Sequence, residues 1–133
     1  MNMGGNMKIS SKGRYALIIM IDLAKNEYMS LKDIALKENI SMKYLEKVMS
    51  LLNKAGLVTS SHGKYGGYKL SKNIEDYKIG DILRVTEGDM TPVPCIKDST
   101  CDKLNSCTMY TFYNGLYNNM NNYMDNKTLK DLI

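Results

Sequence analysis

A mainly helical domain carrying one small β-hairpin is the fold class that three observations on this 133-residue sequence predict. Apolar residues recur at three- and four-residue spacing over several stretches. One glycine-rich turn separates two short β-type runs, and the longest apolar stripe comes near the end, between Met109 and Met124. The length suits one domain with a modest core.

Taken in chain order, Met1 to Met7 read as a loose tail or a remnant of vector sequence, and the fold begins near Lys8. Ser10 or Ser11 caps a first helix through Lys25, which Tyr15, Leu17, Ile18, Ile21 and Leu23 make largely apolar and therefore mostly buried. Ser30-Leu31-Lys32-Asp33 resembles a capping box with Asp in place of Glu, opening a short helix with Leu31, Ile34 and Ala35 inward. Glu38-Asn39-Ile40 supplies a turn. Ser41 then caps a third helix in which Leu45, Val48, Met49 and Leu52 form the inward face, and Gly56 stands where a left-handed C-cap is expected. Small Ala35 lets the two helices cross closely, and Ile40 pins them together. Helix, tight turn, helix is the outcome, although short helix pairs packed only for stability share the pattern.

Leu57 to Ser60 reads as a strand, His62 to Gly67 as a glycine-tipped turn and Tyr68 to Leu70 as the returning strand. The hairpin completes a winged helix-turn-helix. Ile79 to Glu87 forms a fourth helix that ends at Gly88, after which Thr91-Pro92-Val93-Pro94 breaks regular structure with both prolines of the chain. Beyond Cys107, the residues Met109, Phe112, Tyr113, Leu116, Tyr117, Met120, Tyr123 and Met124 follow the helical period, with asparagines filling much of the remainder. Part of that stripe covers the chain's own core. The winged module already has a core, however, so a long Tyr- and Met-rich stripe is expected to meet a second copy. Thr128 to Ile133 reads as a short helix folding back, capped by Asn126 or Thr128. The expected organisation is a tail over 1–7, the winged module over 8–72, a connecting helix over 73–90, a cysteine loop over 91–107, and a dimerisation helix with the short C-terminal helix over 108–133.

Charge is distributed unevenly. Met1 to Lys72 hold twelve Lys/Arg against five Asp/Glu, a balance of +7, whereas Asn73 to Ile133 hold six against nine, or −3. The basic half is the half with the helix-turn-helix, which points to duplex DNA as partner, although a lysine-rich solvated face needs no partner at all. On the third helix Ser41, Lys43, Tyr44, Glu46 and Lys47 are the candidates for the major groove, with Glu46 able to accept from cytosine N4. Lys12, Arg14, His62 and Lys64 are the candidates for phosphates and the minor groove. Ser41 serves first as a cap. His62, the sole histidine, reads as a wing residue before a metal ligand or base.

Cys95, Cys101 and Cys107 are the only cysteines and fall in thirteen residues as Cys-x5-Cys-x5-Cys. An odd count with no secretory signal places the chain in a reducing cytoplasm. No run approaches the roughly 20 apolar residues that span a membrane. Soft thiolates select iron-sulfur clusters, zinc or copper(I), and three in one loop can wrap a single centre. Idle thiols, a disulfide with one spare, or a zinc clip are the other readings of the spacing. The chain has no Cys-x2-Cys pair, no histidine near the thiols and no recognisable nucleophile-base arrangement, which argues against an enzyme and against a simple thiolate metal carrier.

The run Met7-Lys8-Ile9-Ser10-Ser11-Lys12-Gly13-Arg14-Tyr15-Ala16, the run Ile40-Ser41-Met42-Lys43-Tyr44-Leu45-Glu46-Lys47, Gly56-Leu57-Val58, Gly66-Gly67-Tyr68 and the cysteine spacing together resemble one family of bacterial transcription regulators. It is the family containing the iron-sulfur cluster regulator IscR, the nitric-oxide-sensing repressor NsrR and the cysteine-metabolism repressor CymR. The resemblance covers nearly everything from Met7 onward. It implies a homodimer on a roughly palindromic operator, with any 2Fe-2S or 4Fe-4S cluster held by Cys95, Cys101 and Cys107. It also implies repression of genes for cluster assembly, nitrosative defence or sulfur metabolism. The pattern departs at the fourth ligand: Tyr110 stands where IscR-like members have histidine, and Arg14 where NsrR-like members have an acidic residue. Asp98, Asp102, Tyr110, a backbone group, a small thiol or an acidic residue of the partner remain as completions. A regulator without a cluster, controlled by thiol oxidation or by a partner enzyme, is the alternative.

Overall fold

The computed structural model describes residues 8–61, 66–92 and 108–133. Helix α1 runs Ser11–Lys25, α2 Leu31–Glu38 and α3 Met42–Lys54, and each is capped by the serine just before it. Ser10, Ser30 and Ser41 accept from the backbone N–H of Gly13, Asp33 and Tyr44 at 3.2, 3.1 and 3.2 Å. Each serine thus satisfies a donor that the first helical turn leaves without a partner. Between α2 and α3, Asn39 adopts the left-handed conformation (φ 54°, ψ 50°) and the Ile40 N–H reaches back to Ala35 O at 3.1 Å. Asn tolerates that region best among residues with a side chain. The chain therefore reverses tightly enough to bury Ile40. Gly56 repeats the device after α3 at φ 76°, with Leu57 N–H donating to Leu52 O at 3.0 Å.

Strands β1 (Val58–Ser61) and β2 (Gly67–Leu70) pair antiparallel, from Val58 opposite Leu70 to Ser61 opposite Gly67. Tyr68 also exchanges both backbone hydrogen bonds with Met29, at 2.8 and 3.0 Å, so the loop before α2 is stitched to the hairpin. A side chain at residue 67 would meet Met29 O at 2.6 Å, which reserves that position for glycine.

One core joins all of these elements. Ala16, Ile19, Met20 and Leu23 of α1 pack with Ile34 of α2 and with Leu45, Val48, Met49 and Leu52 of α3. Ile82 and Leu83 of α4 (Ile79–Glu87) and Leu129 join them. On α1 the fully buried face differs from the one expected: Tyr15, Leu17, Ile18 and Ile21 are half-buried, while Ala16, Ile19 and Met20 are fully buried. Ile18-Ile19-Met20-Ile21 is apolar without interruption, so its periodicity selects no face. Among the described residues, helix α5 (Tyr110–Asp125) contributes no buried residue. After it, Leu129–Leu132 forms a 3-10 turn rather than an α-helix, capped by Thr128, whose N–H donates to Asp131 at 2.8 Å.

Tyr77 fastens the hairpin to α4. Its ring is buried, and its hydroxyl donates to Leu57 O at 2.6 Å while accepting from the N–H groups of Ser71 and Lys72 at 2.8 and 2.9 Å. Tyr77→Phe keeps the ring and removes all three bonds. The expected loss is about 1–3 kcal/mol in urea unfolding, the range for leaving a buried polar group unpaired.

Candidate nucleic-acid interface

The solvent face of α3 is set by its apolar stripe. With Leu45, Val48, Met49 and Leu52 committed to the core, Met42, Lys43, Glu46 and Lys47 are left in solvent on the opposite side. Ser41 is exposed, but its hydroxyl is engaged in the cap. Tyr44 is only half-buried and packs edge-on against Tyr15 of α1, ring centroids 5.3 Å apart at 78°. That contact anchors α3 to α1 and divides Tyr44 between support and surface.

The Tyr15–Tyr44 pair also floors an open depression of about 480 Å³ lined by Ser11, Tyr15, Asn39, Ile40, Ser41 and Tyr44. Its walls are the first turn of α1, the helix-turn-helix corner and the start of α3. Lys12 and Arg14 belong to the same first turn of α1 as Ser11, Lys12 half-buried and Arg14 exposed. Arg14 is exposed and donates to Ser11 Oγ at 3.1 Å. His62 and Lys64 lie outside the described residues, as do Cys95, Cys101 and Cys107 and the proposed ligands Asp98 and Asp102. Tyr110, by contrast, opens α5 and is half-buried. Among the described residues, no group of three or more His, Cys, Asp or Glu side chains is placed to hold a metal ion.

The helix-turn-helix has an electrostatic staple that the sequence did not announce. Asp22 of α1 is buried and accepts from Lys37 Nζ of α2 at 2.7 Å, which raises the lysine's pKa. The Glu38 carboxyl is also pushed up, first by its approach to the Asp22 carboxylate and then by burial. Among the described residues, the buried Asp22 Oδ2 has no hydrogen-bond partner. The staple closes α1 on the end of α2, one residue before the left-handed Asn39.

Helix α5 is held to α4 by polar contacts. Arg84 Nη1 and Nη2 donate to Asp125 at 2.9 and 3.0 Å, and Nη2 also donates to Asn121 at 2.9 Å. Asp125 pushes the guanidinium's pKa further up. A Cβ at Gly80 would stand 2.1 Å from Asp125 Oδ1, so this approach requires glycine. Tyr117 OH donates to Asp89 at 2.8 Å, a bond that raises the phenol's pKa. The outer side of the stripe stays bare: Met109, Phe112 and Tyr123 are 45%, 60% and 67% exposed. Nearby, Ile9, Leu17, Ile79, Leu83, Tyr123 and Met124 line an apolar groove of about 470 Å³. Among the described residues no helix is long and apolar enough to cross a membrane.

Known proteins share this fold. The chain is 50% identical over 95 residues to the HTH-type transcriptional regulator CymR of Bacillus subtilis, covering 69% of each protein. It is 33% identical over 130 residues to the HTH-type transcriptional regulator IscR of Vibrio atlanticus, covering 96% of this chain and 75% of that one. The solved structure of CymR, the global cysteine regulator of B. subtilis, superposes with a TM-score of 0.79 at 41% identity over 96% of both chains. The Rrf2 family model, described as an iron-dependent transcriptional regulator, matches residues 9–133. A match over nearly the whole chain, on a fold that presents its third helix to solvent beside a β-hairpin, makes this protein a member of the Rrf2 family of helix-turn-helix transcriptional regulators.

Proposed function

We propose that this regulator is a homodimeric DNA-binding repressor whose hold on a roughly palindromic operator is set by an iron-sulfur cluster on Cys95, Cys101 and Cys107. The observation that carries the DNA part is the solvent-facing row Lys43, Glu46 and Lys47 on α3; Lys12 and Arg14 on the first turn of α1 are assigned to phosphates. Lysines there neutralise phosphates and release counterions, and Glu46 accepts from a cytosine amino group in the major groove. His62 and Lys64 are assigned to the wing's contact with the backbone and minor groove. The homodimer is supported by α5, whose Phe112 and Tyr123 stand exposed and which buries no residue among the described residues. Two-fold pairing gives two α3 helices the spacing of successive major grooves.

Three soft thiolates suit an iron-sulfur centre, and such a centre supplies a site that reacts with oxygen, nitric oxide or iron supply. The fourth ligand is not the histidine of IscR-like members, because Tyr110 stands in its place. That departure, together with the 50% identity to CymR, favours one second reading: the same DNA-binding chain controlled by thiol oxidation or a partner enzyme. The test is the visible spectrum with iron and acid-labile sulfide analysis of protein purified without oxygen. Colour with both elements supports the cluster, and a colourless, iron-free protein after attempted reconstitution supports the second reading. In either case Glu46→Ala is expected to relax preference at one base position by about 1–3 kcal/mol. Operator variants at each position check this, and an unchanged preference removes Glu46 from the reading face.

A further inference from the structure

One carboxylate at the end of α4 takes both hydrogen-bond donors of the residue that caps α1. Ser10 donates its backbone N–H to Glu87 Oε1 and its hydroxyl to Glu87 Oε2, the latter at 2.7 Å. The same hydroxyl oxygen accepts from Gly13 N–H at 3.2 Å. A serine hydroxyl has one hydrogen and two lone pairs, so it can cap the helix and be gripped from behind at the same time. The contact joins residues 77 positions apart. Gly13 is buried, and a Cβ there would stand 3.2 Å from both Glu87 Cδ and Oε1 and 3.0 Å from Ile9. The space beside the cap is thus kept for the carboxylate, whose charge also suits a helix N-terminus.

Lys12 and Arg14 flank Gly13 on this turn. Three residues before Glu87, Arg84 holds Asp125 and Asn121 of α5, so the grip on α1 comes from a helix that is itself braced. We infer that Glu87 is a positioning residue for operator binding: through Ser10 it sets the register of the α1 turn that offers Lys12 and Arg14 to phosphates. The inference rests on the proposed DNA-binding reading of that turn.

The test is binding of a labelled duplex of fixed sequence across a salt series, read by anisotropy, for the full chain and for Glu87→Ala, Lys12→Ala/Arg14→Ala, and all three changes together. Glu87→Ala is expected to weaken binding about tenfold and to flatten the salt slope by about 0.9 for each phosphate that is no longer neutralised. Glu87→Gln, which keeps one acceptor oxygen, is expected to recover part of both and serves where the alanine variant folds poorly. In the Lys12→Ala/Arg14→Ala background the Glu87 change is expected to add nothing, since the cations it positions are already absent. A drop in thermal stability with the salt slope unchanged, or full additivity in the triple variant, overturns the inference while leaving the DNA-binding reading intact. If Lys12→Ala/Arg14→Ala itself leaves duplex binding unchanged, α1 is not a contact surface and both fall.

Discussion

Leu129→Ala is expected to lower the unfolding free energy by about 2–5 kcal/mol, the range for a buried leucine replaced by alanine. The side chain is fully buried although it lies four residues from the end of the chain. Its backbone is equally engaged: Leu129 N–H donates to Tyr77 O at 3.0 Å, and Ile79 N–H at the start of α4 donates to Lys127 O at 2.9 Å. The C-terminal turn therefore closes the core and satisfies a donor of α4 that the helix leaves unpaired. Since Tyr77 also fastens the hairpin, damage here is expected to reach the DNA-reading unit. Urea unfolding at fixed protein concentration checks the prediction, with a lower midpoint and an unchanged slope. Leu132→Ala is the control, because that side chain is 42% exposed, and its cost is expected to stay below about 1 kcal/mol. Equal effects at the two positions would mean that the turn frays as a unit and that Leu129 is no part of the core.

Local chemistry explains why so much of the fold is legible in the residues. Three serines before apolar runs mark three helix starts, Gly56 and Gly88 mark two helix ends, and Ile79 to Glu87 is bounded as the sequence predicts. These features depend on neighbours within five positions. Three pairings do not, and no linear pattern announces them: Tyr77 with Leu57, Arg84 with Asp125 and Glu87 with Ser10, separated by 20, 41 and 77 residues. Each is a single side chain whose meaning appears only when two elements meet. Tyr44 behaves in the same way. Spacing alone groups it with the groove-facing residues of α3, whereas its ring is shared with Tyr15. The surface row Lys43, Glu46 and Lys47 is legible because the core face of α3 is unambiguous. On α1, apolar nearly all round, the same logic fails.

The polar bonding of α5 to α4 bears on how a signal would travel. If α5 leaned on the winged module through apolar contact alone, its buried face would adapt to many small displacements. Arg84 instead fixes direction as well as distance, because two of its nitrogens meet the two oxygens of Asp125. Helix α4 is thereby held at its middle by α5 and at its end by Ser10 of α1. In the proposed dimer, a shift of α5 against its twin would have a stiff path to the turn carrying Lys12 and Arg14, and a changed separation of two reading heads would alter affinity for a palindromic operator.

Cys101→Ala is expected to abolish stable cluster assembly altogether, and it separates the two modes of control. Three protein thiolates already fall one short of the four ligands usual for a 2Fe-2S or 4Fe-4S centre. Removing the middle one leaves Cys95 and Cys107, eleven intervening residues apart, and two thiolates cannot retain a centre that needed an outside ligand even with three. The variant should be colourless after anaerobic reconstitution, with no acid-labile sulfide, while its circular dichroism and its dimeric mass match the wild type. Its operator affinity should then be the same before and after reconstitution, whereas the wild type's differs between the two states. A colourless wild type whose affinity changes with a thiol oxidant, and a Cys101→Ala variant that responds in the same way, would sink the cluster assignment. Control would then rest on Cys95 and Cys107 as an oxidisable pair. A coloured Cys101→Ala protein would instead show that Cys101 is not a ligand and that Tyr110, Asp98 or Asp102 completes the site beside the other two cysteines.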